Sequence, residues 1–289
     1  MRSVKHLGDI VHLENRMIAM LDILGLSNQI NDRDKLLSVI STYKELISEA
    51  RHAIFDKETM AGSKSPTVTN FEVDEFVFDT IVLVSPPIES KSISNFIFSV
   101  IQIMELFGKR NMPLRGAIGI GDYCKDEETK IFLSNIFKSL SKEESNQQWS
   151  GCVVLTDAED QIVSGLMGNP SETVKRSDVI HQLIVPTKTS TEECRWCLNW
   201  SYKLLPHEVT SILEYMSGDL NKQNGTRDYL DHLSSLPDDV QNLPPDFYPA
   251  VKFKTMKTRG AMNILFEDEN GLPVEPGCKQ WSLQIFQPK

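Results

Sequence analysis

Two aspartates, Asp22 and Asp79, sit where apolar, strand-like runs give way to turns. The first closes Met17-Ile18-Ala19-Met20-Leu21-Asp22-Ile23, with Gly25 just beyond. The second follows Phe76-Val77-Phe78 and opens Asp79-Thr80-Ile81-Val82-Leu83-Val84-Ser85. A carboxylate set among residues that prefer burial carries a desolvation cost and calls for a partner. Two of them side by side suit a divalent cation, and paired cations are a standard means of phosphoryl and nucleotidyl transfer. The competing reading is a pair of strand-end turn residues, a common place for Asp.

The elements that must position these carboxylates follow from apolar spacing. Arg16 to Ile23 predicts a buried strand, and Gly25 a turn. Asp34 to Ile54 carries Leu36, Leu37, Ile40, Tyr43, Leu46, Ile47 and Ala50 at helical spacing. Ala61 to Thr69 is a loop, and Phe71 to Pro86 predicts two strands around a tight turn near Asp79. Ser94 to Phe107 predicts a helix stopped by Gly108, and Pro113 to Ile120 another strand. The order strand, helix, strand, strand, helix, strand is the split βαβ arrangement, an antiparallel sheet with helices on one face. In it the first strand ends beside the turn between the second and third, which makes Asp22 and Asp79 neighbours.

Beyond this unit the sequence predicts a helix over Gly151 to Gly165, preceded by a polar segment around Lys142 to Gln148. Strands follow at Val179 to Val185 and Trp196 to Trp200. Behind Leu236-Pro237, Pro244-Pro245 and Pro249, a basic helix is expected from about Tyr248 to Leu265. The fold class is therefore α/β in the broad sense (α+β), with a main domain over 12–190 and a mainly helical extension of unassigned role over 191–289.

With 289 residues the chain can bury a sizeable core. A net charge of −10 and a pI near 5.2 argue against a nucleic-acid binder, which normally presents a basic face. The densest apolar run, Ile93 to Phe107, is broken by Ser94, Asn95, Ser99, Gln102 and Glu105, so no membrane span is expected. No signal peptide is read at the N-terminus, and five cysteines suit a reducing compartment; the expectation is a cytoplasmic protein. Cys194-Arg195-Trp196-Cys197 has the spacing of half a zinc site, but no second pair of Cys or His lies close by in sequence.

Leu21-Asp22-Ile23-Leu24-Gly25-Leu26 resembles the first metal-binding strand of class III nucleotidyl cyclases. Asp79 to Ser85 resembles their second metal segment, and Leu114-Arg115-Gly116-Ala117-Ile118-Gly119-Ile120-Gly121 their Gly-rich strand. The Arg-Gly-Ala-Ile wording and the lead-in Phe78-Asp79-Thr80 are closest to bacterial pyrimidine cyclases of the Pycsar anti-phage systems. The resemblance spans roughly residues 12 to 165.

It implies a homodimeric enzyme that converts a pyrimidine nucleoside triphosphate, UTP or CTP, into its 3′,5′-cyclic monophosphate and pyrophosphate. Asp22, Asp79 and the carbonyl of Ile23 would hold two Mg²⁺ or Mn²⁺ ions. Leu24, Gly25, Leu26 and Ser27 would offer backbone N–H groups to the phosphates. Arg115 would meet the terminal phosphates, and Glu75 would face the base without selecting one. The product would be sensed by a separate effector protein; neither membrane nor nucleic acid is expected as a partner. The family's Asn and Arg, four apart on a later helix, have no counterpart in Trp149 to Asp160. Lys252, Lys254, Lys257 and Arg259 are the candidate substitutes. Purine cyclisation on the same fold, or a silent nucleotide- or partner-binding module, are the rival readings.

Overall fold

A computed structural model of the chain describes residues 5–7, 10–26, 33–50, 70–167, 179–189, 194–201, 204–235, 252–258 and 261–267. The first unit runs β1 (Lys5–Leu7), β2 (Ile10–Ile23), α1 (Arg33–Ala50), β3 (Val73–Val77), β4 (Thr80–Val84), α2 (Ser90–Lys109) and β5 (Leu114–Asp126). The core strands lie in the order β3-β4-β2-β5 with antiparallel pairing throughout. This is the strand order of the split βαβ fold, as the periodicity predicts.

Local chemistry accounts for each element. In α2, Ile93, Phe96, Ile97, Val100, Ile101, Met104 and Phe107 recur on one helical stripe, and all are buried. The Ser92 hydroxyl accepts the Glu89 N–H at 2.8 Å at the start of α2. Near its end Lys109 pairs with Glu105 one turn back at 2.7 Å. In β2, the consecutive residues Met17, Ile18 and Ala19 are all buried. Successive strand side chains point to opposite faces, so the sheet is covered on both sides there, not on one as the sequence pattern suggested. The β2–β5 ladder shifts register between Leu13 and Arg16, where Asn15 adopts φ 53°.

The remainder extends the same sheet. After β6 (Phe132–Ser134) and α3 (Phe137–Asn146), β7 (Cys152–Val154) pairs parallel with β5. Then come α4 (Glu159–Met167), β8 (Ile180–Ile184) and β9 (Cys194–Leu198), with β9 joined antiparallel to both β7 and β8. Two corrections arise here. The helix expected over Gly151 to Gly165 starts as a strand, because Cys152, Val153 and Val154 are fully buried beside β5. Helical structure follows only from Thr156, first as a short 3-10 turn and then as α4. The polar segment Lys142 to Gln148 instead belongs mostly to a helix, α3.

The mainly helical extension is found in α5 (Pro206–Tyr215) and α6 (Leu220–Ser235). The Trp200 indole donates to the Ser150 carbonyl at 3.0 Å. The Tyr229 hydroxyl on α6 donates to the Leu198 carbonyl at 2.9 Å, and its ring meets Trp149 edge-on at 4.6 Å. The sheet and these helices thus share one core, and strand pairing between β8 and β9 crosses the sequence position 190/191. The basic helix expected over Tyr248 to Leu265 is overturned: Lys252–Thr258 (β10) and Ala261–Glu267 (β11) form an antiparallel hairpin. Lys252-Phe253-Lys254-Thr255 alternates with the period of a strand, and the charge count masked that pattern. No helix among the described residues is long and apolar enough to cross a membrane.

Candidate active site

Asp22 is paired in register with Thr80 on β4 and with Arg115 on β5. The next residue, Ile23, donates its N–H to the carbonyl of Asp79 at 3.0 Å. That bond ties the end of β2 to the two-residue turn Phe78-Asp79 between β3 and β4, so Asp22 and Asp79 stand at adjoining strand ends. Leu24 N–H goes to the Pro113 carbonyl at 2.9 Å, which fixes the exit of β2 against the start of β5. Gly25 follows with φ 78°, a left-handed turn that glycine adopts without steric cost. A side chain there would lie 3.8 Å from the ring and hydroxyl of Tyr215 on α5.

Arg115 is 8% exposed and sits beside Asp22, donating to its carboxylate at 3.2 Å. The same nitrogen pairs with Glu144 on α3, and the other terminal nitrogen donates to the Gln147 carbonyl at 2.9 Å. Gln147 is itself locked: its amide donates to the Gly116 carbonyl at 2.9 Å and its oxygen accepts the Trp149 indole N–H at 2.9 Å. One guanidinium therefore serves two carboxylates, Asp22 and Glu144, and Asp79 acts on Asp22 through its charge. Burial, then the negative charges of Glu144 and Asp79, push the Asp22 carboxyl up to about 7 against the lowering pull of Arg115. Glu144 is raised too, chiefly by burial, with Arg115 opposing.

The hydroxyl of Tyr43, on α1, is buried without a hydrogen-bond partner, and its ring meets Phe76 and Phe107 edge-on at 6.4 and 6.1 Å. Burial first, then the charge of Asp79, pushes its phenol up to about 12.

Of the residues singled out in the sequence, Asp22, Ile23, Leu24, Gly25, Asp79 and Arg115 gather at this end of the sheet. Leu26 is the last described residue of this stretch, and Ser27 lies outside the described residues. Glu75 lies opposite Val82, which the register places on the same face of the sheet as Asp22 but two residues further from the turn, and it forms an ion pair with Lys125 at 2.7 Å. Lys252, Lys254 and Lys257 lie on β10, and Arg259 lies outside the described residues.

Glu144 and Gln147 were missed in the sequence because they fall in a stretch read as polar connection. The available sign was the spacing of Leu140 and Glu144, four apart and both buried on α3.

The donor set fits a hard divalent cation, since aspartate oxygens and a backbone carbonyl are the ligands Mg²⁺ and Mn²⁺ prefer. Asp22 and Glu144 share one guanidinium and Asp79 adds its charge to Asp22, so the local charge is negative when all are ionised. No three His, Cys, Asp or Glu side chains among the described residues converge as a ready-made cage. Mg²⁺ sites commonly use only one or two carboxylates and fill the rest with water and substrate phosphate.

A scan against protein-family models finds no match, and a search of curated proteins finds none. Solved structures do resemble the chain. The catalytic core of a rhodopsin-guanylyl cyclase with converted specificity, in complex with ATPalphaS, aligns with a TM-score of 0.42 at 10% identity, covering 66% of this chain and 98% of that one. The adenylyl cyclase CyaB from P. aeruginosa aligns with a TM-score of 0.42 at 12% identity, over 65% of this chain and 94% of that one. A bacterial light-regulated adenylyl cyclase gives a TM-score of 0.39 at 11% identity, over 72% and 100%. Likeness at this level carries no chemistry with it; the chemistry rests on the residues themselves.

Proposed function

We propose that the protein is a divalent-metal-dependent nucleotide cyclase that closes a nucleoside triphosphate to its 3′,5′-cyclic monophosphate and releases pyrophosphate. The observation that carries this reading is the junction of Asp22 and Asp79, tied together by the Ile23 N–H to Asp79 carbonyl bond. The three sequence segments that resemble class III cyclases supply the reaction type.

Asp22 and Asp79, with the Ile23 carbonyl, would hold two Mg²⁺ or Mn²⁺ ions. Bound there, the metal supplies acidification of the ribose 3′-hydroxyl and charge compensation for the triphosphate. The chain's own residues do the rest. Asp22 must be ionised to take up a cation, and Arg115 beside it holds the carboxylate in place beforehand. Arg115 is also the guanidinium within reach of triphosphate oxygens gathered at this end of the sheet. The N–H groups of Ile23 and Leu24 are already committed to Asp79 and Pro113, so phosphate oxygens would be met from Gly25 onward.

The preferred substrate is a pyrimidine triphosphate, on the strength of the Arg115-Gly116-Ala117-Ile118 and Phe78-Asp79-Thr80 wording; UTP stands ahead of CTP by its frequency in the family that this wording resembles, not by any residue. A second copy of the chain completes each site, and the cyclic product serves as a signal to a separate effector in anti-phage defence. Incubation of the purified protein with each of the four ribonucleoside triphosphates and Mn²⁺, followed by chromatography of products, tests the reading. Cyclic UMP or CMP is the expected product. A purine product alone overturns the pyrimidine assignment, and triphosphate binding without turnover makes the protein a silent binding module.

A further inference from the structure

Phe78 is the first residue of the two-residue turn that carries Asp79, and its backbone has φ 56° while its side chain is 89% exposed. Both facts are unfavourable for the fold taken alone. A bulky residue at positive φ is a steric outlier, and Asp79 does not share the positive sign, the pattern of a turn whose first position favours glycine. A ring left this open to solvent returns almost nothing in packing. Strain kept next to a candidate site, with no gain inside the chain, points to use outside the chain's own core.

Two occupants compete for the ring: the substrate and a second copy of the chain. Successive Cα atoms are about 3.8 Å apart, so the ring starts one residue from the carboxylate proposed to hold the cation. The nucleoside is covalently joined to the phosphates that such a cation would meet. A stable dimer contact needs on the order of 800 Å² from each partner. In this turn only Val77 adds exposed apolar surface, and Asp79 and Thr80 follow immediately.

Resting on the active-site reading above, we propose that the Phe78 ring packs against the nucleoside of the bound triphosphate. It supplies affinity through the face of the base and holds the strained turn for that purpose. Every base has such a face, so the contribution is independent of hydrogen-bond selection and separate from the grip on the phosphates.

The test compares two ligands in calorimetry with Mn²⁺: the best-bound ribonucleoside triphosphate, and inorganic tripolyphosphate, which lacks base and sugar. Phe78→Gly removes the ring and relieves the backbone, whereas Phe78→Tyr keeps an aromatic face. Phe78→Gly is expected to weaken nucleotide binding about tenfold. It should leave tripolyphosphate affinity unchanged and raise the melting temperature by roughly 2 °C. Phe78→Tyr is expected to bind nucleotide like the wild type. Unchanged nucleotide affinity in Phe78→Gly, equal losses for both ligands, or a lowered melting temperature overturns the proposal. A dimer that dissociates in sedimentation, with nucleotide affinity per protomer intact, assigns the ring to a second copy and overturns it as well. A wild type that binds neither ligand refutes the active-site reading, and this proposal with it. Asp79-dependent binding of both ligands without a ring effect refutes this proposal alone.

Discussion

Arg115 stands directly opposite Asp22 on the neighbouring strand, and its guanidinium is shared between Asp22 and Glu144. Breaking a buried pair from one side leaves the other charge uncompensated. Arg115→Ala is therefore expected to lower unfolding free energy by about 3–5 kcal/mol, read from urea denaturation. Glu144→Gln keeps the Arg115–Asp22 contact and removes one of the charges that raise the Asp22 pKa. It should cost far less stability and shift the Asp22 carboxyl downward, measurable by carboxyl NMR titration.

Asp79→Asn and Asp22→Asn preserve shape and remove a negative charge from a crowded site. Turnover of triphosphate is expected to fall by at least about 100-fold, the range seen when one electrostatic catalytic contact is lost. The melting temperature should stay level or rise, because the carboxylates repel one another. Product assays alongside thermal melts check both halves. A variant that melts early would place the aspartate among structural residues.

Metal-free stability should depend on pH through Asp22. Its carboxyl titrates near 3.8 in an unperturbed chain and at about 7 in the fold. Between those values the folded state holds a proton that the unfolded state has released, so stability falls as pH rises through the window. Asp22→Asn lacks this titration. The stability gap between variant and wild type, measured in chelator, is expected to widen in the variant's favour from about pH 4 to 7, with a ceiling of roughly 4 kcal/mol. A gap that stays constant with pH would show that Asp22 is not perturbed.

Gly116 admits no side chain. A Cβ there would lie 2.4 Å from the Met20 carbonyl oxygen and 2.5 Å from a Leu21 methyl on the adjacent strand. Gly116→Ala must push β2 and β5 apart one residue from the Asp22–Arg115 pair. A loss of about 1–3 kcal/mol in stability is expected, the usual cost of overpacking. Turnover should fall with it, and parallel denaturation and activity series check the link.

The first unit of the fold was legible because its signals agree. Stripes such as Ile93 to Phe107 and the run Met17 to Leu21 specify helix and strand by period, and the turn at Phe78-Asp79 lies where the apolar runs break. The later elements were harder. Val153 and Val154 are too short a run to separate strand from helix, and only pairing with β5 decides it. At the site, Asp22 and Asp79 announced themselves as polar residues in apolar settings. Glu144 could not, because an acidic residue in Lys142-Glu143-Glu144 looks like ordinary surface until α3 turns it onto Arg115. Arg115 was visible as a cation, but its carboxylate partners depend on cross-strand register and on α3.

Thr226 on α6 accepts the Ser150 N–H at 2.7 Å through its hydroxyl, and no Cβ fits at neighbouring Gly225, where it would sit 2.2 Å from the Gln148 carbonyl oxygen. Gln148 and Ser150 flank Trp149, whose indole holds the side chain of Gln147, the residue whose carbonyl accepts from Arg115. Shortening the gene to end after β9 would thus not liberate a minimal working unit. It would remove Trp200, strip Tyr229 from the Trp149 indole and loosen the segment that holds Gln147 against the guanidinium.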